Sequence, residues 1–284
     1  MNQPQDDDRG YVIGAFLKRI VFYAFIVVVT AYFFVPLLWL IVAPFDKVPS
    51  LDVKAPDFTL DNFTTVLLEN PYALRSLGNS LILAGATMLL VVATATPAAY
   101  ALSRVHLPGR DLLLYLLLLF SSIVTGSAAM VPLFVLIFNL GLINTYLGVV
   151  LVLAGGLLPA AIFILKDFTD STPRSYEESA MVFGASSFQI LRDTVLPLIR
   201  PGLAVIAVWV MVNVWGNFLM PFILLRSTEL SPASVVMYTF YTEAGQPNLR
   251  LLATFSLLYS IPVVLMYLFV SRRYGFRFYG GIKR

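Results

Sequence analysis

The chain has 284 residues, of which 59% are hydrophobic and 12% charged, with a mean hydropathy of +0.84 and a formal net charge of +3. A water-soluble domain is nearer half apolar and a quarter charged, so this composition predicts an integral membrane protein. It also argues against a nucleic-acid binder, which would need a basic stripe interleaved with aromatics. The absence of cysteine excludes disulfides, a thiol nucleophile and thiolate metal sites.

The first stretch, MNQPQDDDRGYVIGAFLKR, carries an acidic run and leads into a long apolar segment without a small-residue cleavage site. It predicts a retained tail over 1–19 and not a signal peptide. A hydrocarbon core of about 30 Å needs about 20 apolar residues as helix. Six segments meet that need: 20–43, 80–102, 112–138, 146–165, 203–225 and 251–270. The third is interrupted by SSIVTGSAAMVP. None of the six contains Asp, Glu, Lys or Arg, as the cost of charge in hydrocarbon requires. Fourteen Lys and Arg lie in the two termini, the second-to-third loop and the fourth-to-fifth loop, against five in the other connections. The positive-inside rule therefore predicts cytoplasmic termini and a cytoplasmic fourth-to-fifth loop.

That loop, about 166–201, is the longest internal polar stretch. Ser175-Tyr176-Glu177-Glu178 fits a capping box, with Ser175 as cap and Glu178 reaching back. Thr172-Pro173 is a competing helix start. Ser179, Ala180 and Gly184 offer a small-residue face, and Gly184 can take a turn conformation that other residues resist. Ser186 or Ser187 can cap a second short helix over 188–195. Pro197 and Pro201 then break the chain ahead of the fifth span. Local chemistry thus predicts a helical elbow on the cytoplasmic surface, and leaves open an ordinary amphipathic helix at the lipid headgroups.

The spacing of this loop narrows the choice. Glu178-Ser179-Ala180, three residues, Gly184, nine residues and Thr194-Val195-Leu196-Pro197 resemble the EAA loop of bacterial ABC-importer permeases, with Ser179 and Thr194 where alanine and isoleucine are usual. Further elements are similar to the MalG-like, carbohydrate-type permeases: LDNF at 60–63, Asn79-Ser80, AAYALSR at 98–104, Pro108-Gly109-Arg110, LGLINT at 140–145, WGNFL at 215–219 and the tail YGGIKR. Gly216 stands where that family more often has asparagine.

The resemblance implies an all-α, polytopic fold, the transmembrane domain of a type I ABC importer. Its six transmembrane helices and cytoplasmic coupling helix would occupy 20–284, with a cytoplasmic tail at 271–284. It implies coupling to an ATP-binding cassette ATPase dimer through Glu177, Glu178, Ser179, Ala180, Gly184, Ala185, Leu196 and Pro197. The implied partners are a second permease subunit, an extracytoplasmic solute-binding protein and membrane lipid. The implied location is the bacterial cytoplasmic membrane, and the implied cargo a di- or oligosaccharide, with glycerol-3-phosphate, a glycerophosphodiester or a sugar alcohol as alternatives. The chain has no G-x-x-x-x-G-K-[S/T] loop, so no cofactor is expected on it. ATP and Mg2+ would be used by the partner ATPase.

Within the spans, Asn213 and Asn217 fall four residues apart with Trp209 one turn earlier, a spacing that places them on one helix face. They read either as interhelical hydrogen-bonding groups or, with Trp215, as the lining of a sugar path. Thr94, Thr96 and Pro97 read as packing and bending residues of the second span. Ser121, Ser122 and Thr125 read as possible irregular backbone near a cavity. His106 reads as a solvated loop residue, and Trp39, Tyr32 and Phe33 as packing or interfacial aromatics. No span holds the ionisable groups that a membrane-embedded enzyme or an ion-coupled carrier needs. A non-transporting scaffold is the remaining class, and it has no use for the elbow.

Overall fold

The computed structural model describes residues 6–50, 56–105, 108–124, 129–240 and 248–274. His106 and Thr125 lie outside them. The main helices are α1 (Asp6–Val42), α2 (Ala73–Arg104), α3 (Arg110–Val124), α4 (Met130–Asn139), α5 (Tyr146–Asp170), α6 (Ser175–Val182), α7 (Arg200–Trp215), α8 (Leu219–Leu224) and α9 (Leu249–Tyr274). Short turns of helix connect them. Among the described residues there is no strand, and one isolated antiparallel bridge joins Asp46 to Phe58.

Four helices are long and apolar enough to cross a membrane: Leu17–Phe45, Ala73–Arg104, Tyr146–Asp170 and Leu249–Arg272. A fifth candidate is a bent pair, Ser187–Leu198 with Arg200–Trp215, that turns through 78°. The predicted third span is divided into α3 and α4. Ser121 and Ser122 belong to the helical part of α3. Pro132 falls in the first turn of α4, where its missing N–H removes no intrahelical bond.

The predicted continuous span 203–225 is also divided. α7 stops at Trp215, and Gly216 caps it. The break has a local cause. Pro221 cannot donate to the Asn217 carbonyl, which instead accepts from Ser234 Oγ at 2.9 Å. The Asn217 side chain accepts from the Met220 N–H at 3.1 Å, a side-chain bond that replaces a helical one.

α2 and α5 form the central pair, α7 packs on both, and α3 lies against α5. The shared core includes Leu83, Val91, Ala95, Ala99, Val149, Leu153, Ala161, Leu165, Ile206 and Val210. The alanines let helices approach closely where hydrocarbon surroundings offer no hydrophobic drive between them. Thr94 and Thr96 turn their hydroxyls onto the carbonyls of Leu90 and Val92 at 2.7 and 2.6 Å, one turn back in α2. α1 is different. Its apolar residues from Leu17 to Leu38 are exposed, Tyr32 and Phe33 included, while Trp39 and Leu40 are half-buried, and its main contacts are with α9 and the turn Ala43–Phe45. Trp39 donates to the Ser50 carbonyl at 2.9 Å.

At 32 residues, α2 spans about 48 Å, well beyond a hydrocarbon core of about 30 Å. Its two ends therefore meet different loops. At the Ala73 end lie Glu229, Ser231 and Ala233, bonded to Asn79 and Ser80. Asn144, at φ 59°, joins the same end, where its side chain accepts from the Arg226 and Ser227 N–H groups. At the Arg104 end lie the last turn of α5 and the loop that contains α6.

Candidate functional site: a surface elbow and a polar cavity

The elbow is built from local capping chemistry. α6 begins one residue earlier than a Ser175 cap requires. Arg174 is the N-cap and makes no side-chain capping bond, while its carbonyl accepts from the Glu177 and Glu178 N–H groups at 2.9 and 3.0 Å. The predicted Ser175–Glu178 capping box is therefore not formed. Ser175 is inside the helix, and its carbonyl accepts from Ser179 Oγ at 2.8 Å.

The other end matches its sequence signal. Gly184 has φ +82°. Its N–H reaches the Met181 carbonyl at 2.9 Å, and the Ala185 N–H reaches the Ala180 carbonyl at 3.1 Å. This pair of bonds is a Schellman motif, whose left-handed position favours glycine. Ser186 then caps the next helical turn in a complete capping box with Gln189. A wide helical turn over Ile190–Val195 follows, then Leu196–Leu198 with Pro197 exposed, and the 78° bend into α7.

The elbow has a small core of its own. Ile190, Val195 and Ile199 are buried, with Ala180, Ala185, Tyr100 of α2 and Phe168 of α5 packed around them. Its opposite face is open: Glu178 and Ser179 are exposed, and beside them Met181, Val182, Phe183 and Phe188 are 55%, 84%, 90% and 70% exposed. Nearby, the Arg192 guanidinium, hydrogen-bonded to Asp193, holds that carboxyl below its ordinary value.

Glu177 faces the other way from Glu178. It is 3% exposed. Its Oε1 pairs with Arg104 Nε and Nη2 at 2.7 and 2.6 Å, and its Oε2 accepts from Tyr100 O–H at 3.0 Å. Arg104 also donates to the Thr169 and Thr172 carbonyls at 3.0 and 3.2 Å, and to Ser103 Oγ at 3.0 Å. Lys166 pairs with Asp170 at 2.6 Å, and Ser103 donates to the same carboxylate. Sequence reasoning placed Glu177 with the outward-facing group and did not single out Arg104 or Tyr100. The available signal was a lone arginine at the very end of an apolar span, where a charge needs a partner.

A cavity of about 290 Å³ opens between α3, α5 and α7. Ser121, Gly156, Trp209, Asn213, Asn217 and Met220 line it. Three of the four predicted path residues thus come together, although Asn217 reaches the cavity from beyond the end of α7 and not from one helix face with Asn213. The Asn213 amide donates to the Trp209 carbonyl at 2.8 Å. Trp215 is not among the lining residues. It is buried, stacks on Tyr259 with ring centroids 5.3 Å apart, and donates from Nε1 to the Tyr259 carbonyl at 3.1 Å. It ties α7 to α9.

A cavity lined in part by amides and an indole, set among apolar helices of membrane-spanning length, is the arrangement of a membrane transport component. The chain belongs to the family described as binding-protein-dependent transport system inner membrane component, whose model matches residues 107–276. It is 31% identical over 256 residues to the galactooligosaccharides transport system permease protein GanQ of Bacillus subtilis (strain 168), covering 88% of this chain and 89% of the relative. It is 30% identical over 217 residues to the maltodextrin transport system permease protein MdxG of the same strain, covering 76% and 77%. A crystal structure of a bacterial ABC transporter involved in the import of the acidic polysaccharide alginate contains a chain of similar fold. The TM-score is 0.76 at 20% identity, over 96% of this chain and all of that one.

Proposed function

We propose that the chain is a permease subunit of an ATP-driven importer that passes a di- or oligosaccharide from an extracytoplasmic binding protein across the cytoplasmic membrane. It works with a second permease subunit and two ATPase subunits, and the elbow is the ATPase contact. The observation that carries this reading is the open face of the elbow. Phe183 and Val182 are almost fully exposed beside Glu178, on a helix fixed by a Schellman turn and its own core. Contiguous exposed apolar side chains of this kind mark an interaction surface, of a protein or of a membrane, and this one is assigned to the ATPase. The family and the oligosaccharide permeases among its relatives support the sugar assignment. So does the cavity, whose lining sets two amides, an indole and a hydroxyl among Val152, Leu153, Leu157, Ala160 and Met220 and, among the described residues, holds no Lys, Arg or His. That chemistry suits a neutral polyol better than glycerol-3-phosphate. ATP and Mg2+ belong to the partner ATPase, and both termini and the elbow face the cytoplasm.

The test is reconstitution of the chain with its neighbouring permease, ATPase and binding protein in proteoliposomes, with labelled maltooligosaccharide or galactooligosaccharide outside. Uptake that requires both ATP and binding protein is expected. Uptake by a homomer of this chain without an ATPase would refute the assignment.

A further inference from the structure

The chain connects the elbow directly to α5 on one side and, through the 78° bend, to α7 on the other. α2 has no such connection, since Arg104 lies 73 residues before Glu177. Yet α2 is half of the central helix pair and packs on α7 as well. We infer that Arg104 and Glu177 are positioning residues that make α2 follow the elbow, so that a displacement delivered to α6 moves α2 and α5 as one body. The inference rests on the proposed role of the elbow as the ATPase contact.

The geometry supports transmission through this pair. Both side chains are largely out of water, at 13% and 4% exposure, unlike the solvent-exposed ion pairs that contribute little. One guanidinium holds three elements at once: Ser103 of its own helix, the C-terminal carbonyls of α5 and its following turn, and the first turn of α6. Tyr100 holds the second Glu177 oxygen, so the carboxylate cannot swing free of α2. The Lys166–Asp170–Ser103 cluster joins α2 to α5 beside it. Removing one partner strands a buried charge, so the contact survives small displacements and does not slip.

The chain has no cysteine, so spin labels can be placed at Val105→Cys and Tyr176→Cys, two exposed positions on α2's end and on α6. In the assembled transporter, the label-to-label distance should be narrow and the same with and without ATP. In Glu177→Gln it should broaden and differ between the two states. Sugar taken up per ATP hydrolysed should fall about tenfold, a usual size for a coupling effect, while the amount of co-purified ATPase holds. Arg104→Gln should do the same, the double variant should be no worse than either single one, and Glu177→Asp should recover part of the loss. An unchanged, narrow distance in Glu177→Gln overturns the inference. So do additive effects, or uptake and ATPase content that fall together at constant uptake per ATP. The same labels in the purified permease alone must also broaden with Glu177→Gln. Absence of ATPase from the wild-type preparation would count against the elbow assignment and not against this contact.

Discussion

Tyr146 donates its phenolic O–H to Asn79 Oδ1 at 2.8 Å, which joins the first turn of α5 to α2 at the end of the bundle remote from the elbow. Asn79 in turn donates to the Glu229 and Ser231 carbonyls at 2.8 and 3.0 Å. One buried amide therefore fixes the loop after α8 onto the central helix pair. Asn79→Leu keeps the branching and heavy-atom count of the side chain but leaves the two carbonyls without these donors and the phenol without its acceptor, at about 1–3 kcal/mol. Limited proteolysis of the detergent-solubilised protein should then cut within 226–240 faster than in the wild type, whereas Tyr146→Phe should have a smaller effect. Equal cutting rates for Asn79→Leu and wild type would show that the loop is held by other contacts.

Gly184 meets nothing within 4 Å at its Cβ position, but its φ is +82°. The cost of a side chain there, on the order of 1 kcal/mol, comes from the backbone and not from a clash within this chain. Gly184→Leu should abolish uptake while the protein still inserts at normal abundance. Gly184→Asn should retain more activity, because asparagine tolerates the left-handed region. Uptake assays with immunoblotting decide the matter, and full uptake by Gly184→Leu would remove the elbow from the coupling path.

Gly202 presents the opposite problem. An added Cβ would stand 2.5 Å from the Phe168 ring, where α7 leaves the elbow and passes α5. Gly202→Ala should lower thermal stability by about 1–3 kcal/mol through overpacking. Phe168→Leu in the same chain should restore part of it. A stability of Gly202→Ala equal to wild type in a detergent melt would mean that the ring moves aside freely.

The cavity separates two kinds of aromatic and amide residue. Asn213→Ala should raise the sugar concentration needed for half-maximal uptake, with little change in abundance. Trp215→Phe loses the indole bond to the Tyr259 carbonyl, a net effect of about 0.5–1.5 kcal/mol. It should reduce abundance and leave that concentration unchanged. Concentration series for both variants, normalised to permease content, test the assignment, and the reverse pattern would place Trp215 on the path.

The skewed distribution of Lys and Arg predicts opposite reporter signals at Arg284 and within the 46–77 loop. Alkaline phosphatase activity is expected only at the loop fusion. Matching signals would contradict the six spans expected from the sequence.

The parts of this protein that were legible in its sequence are those whose causes lie within a few residues. Four of the six apolar runs appeared as unbroken helices of membrane length, because hydrocarbon leaves a backbone segment no other way to satisfy its own polar groups. The turn at Gly184 and the cap at Ser186 were readable for a similar reason, since each closes its hydrogen bonds within five residues. Local rules also misled, at Asn217, which lies beyond the end of α7, and at Ser175, because the Arg174 carbonyl already accepts from the Glu177 and Glu178 N–H groups.

What only the tertiary structure decided is which way side chains face. Glu177 and Glu178 are adjacent on one helix, and nothing nearby in sequence says which of them turns inward. Arg104, 73 residues away, fixes the roll of α6 and claims Glu177. Tyr259, 44 residues on, draws Trp215 out of the group that lines the cavity. Pro221 leaves the Asn217 carbonyl without a helical donor, and it is Ser234, across the break, that supplies one. In each case a buried polar group must find a partner, and that partner is supplied by the packing of another helix or loop.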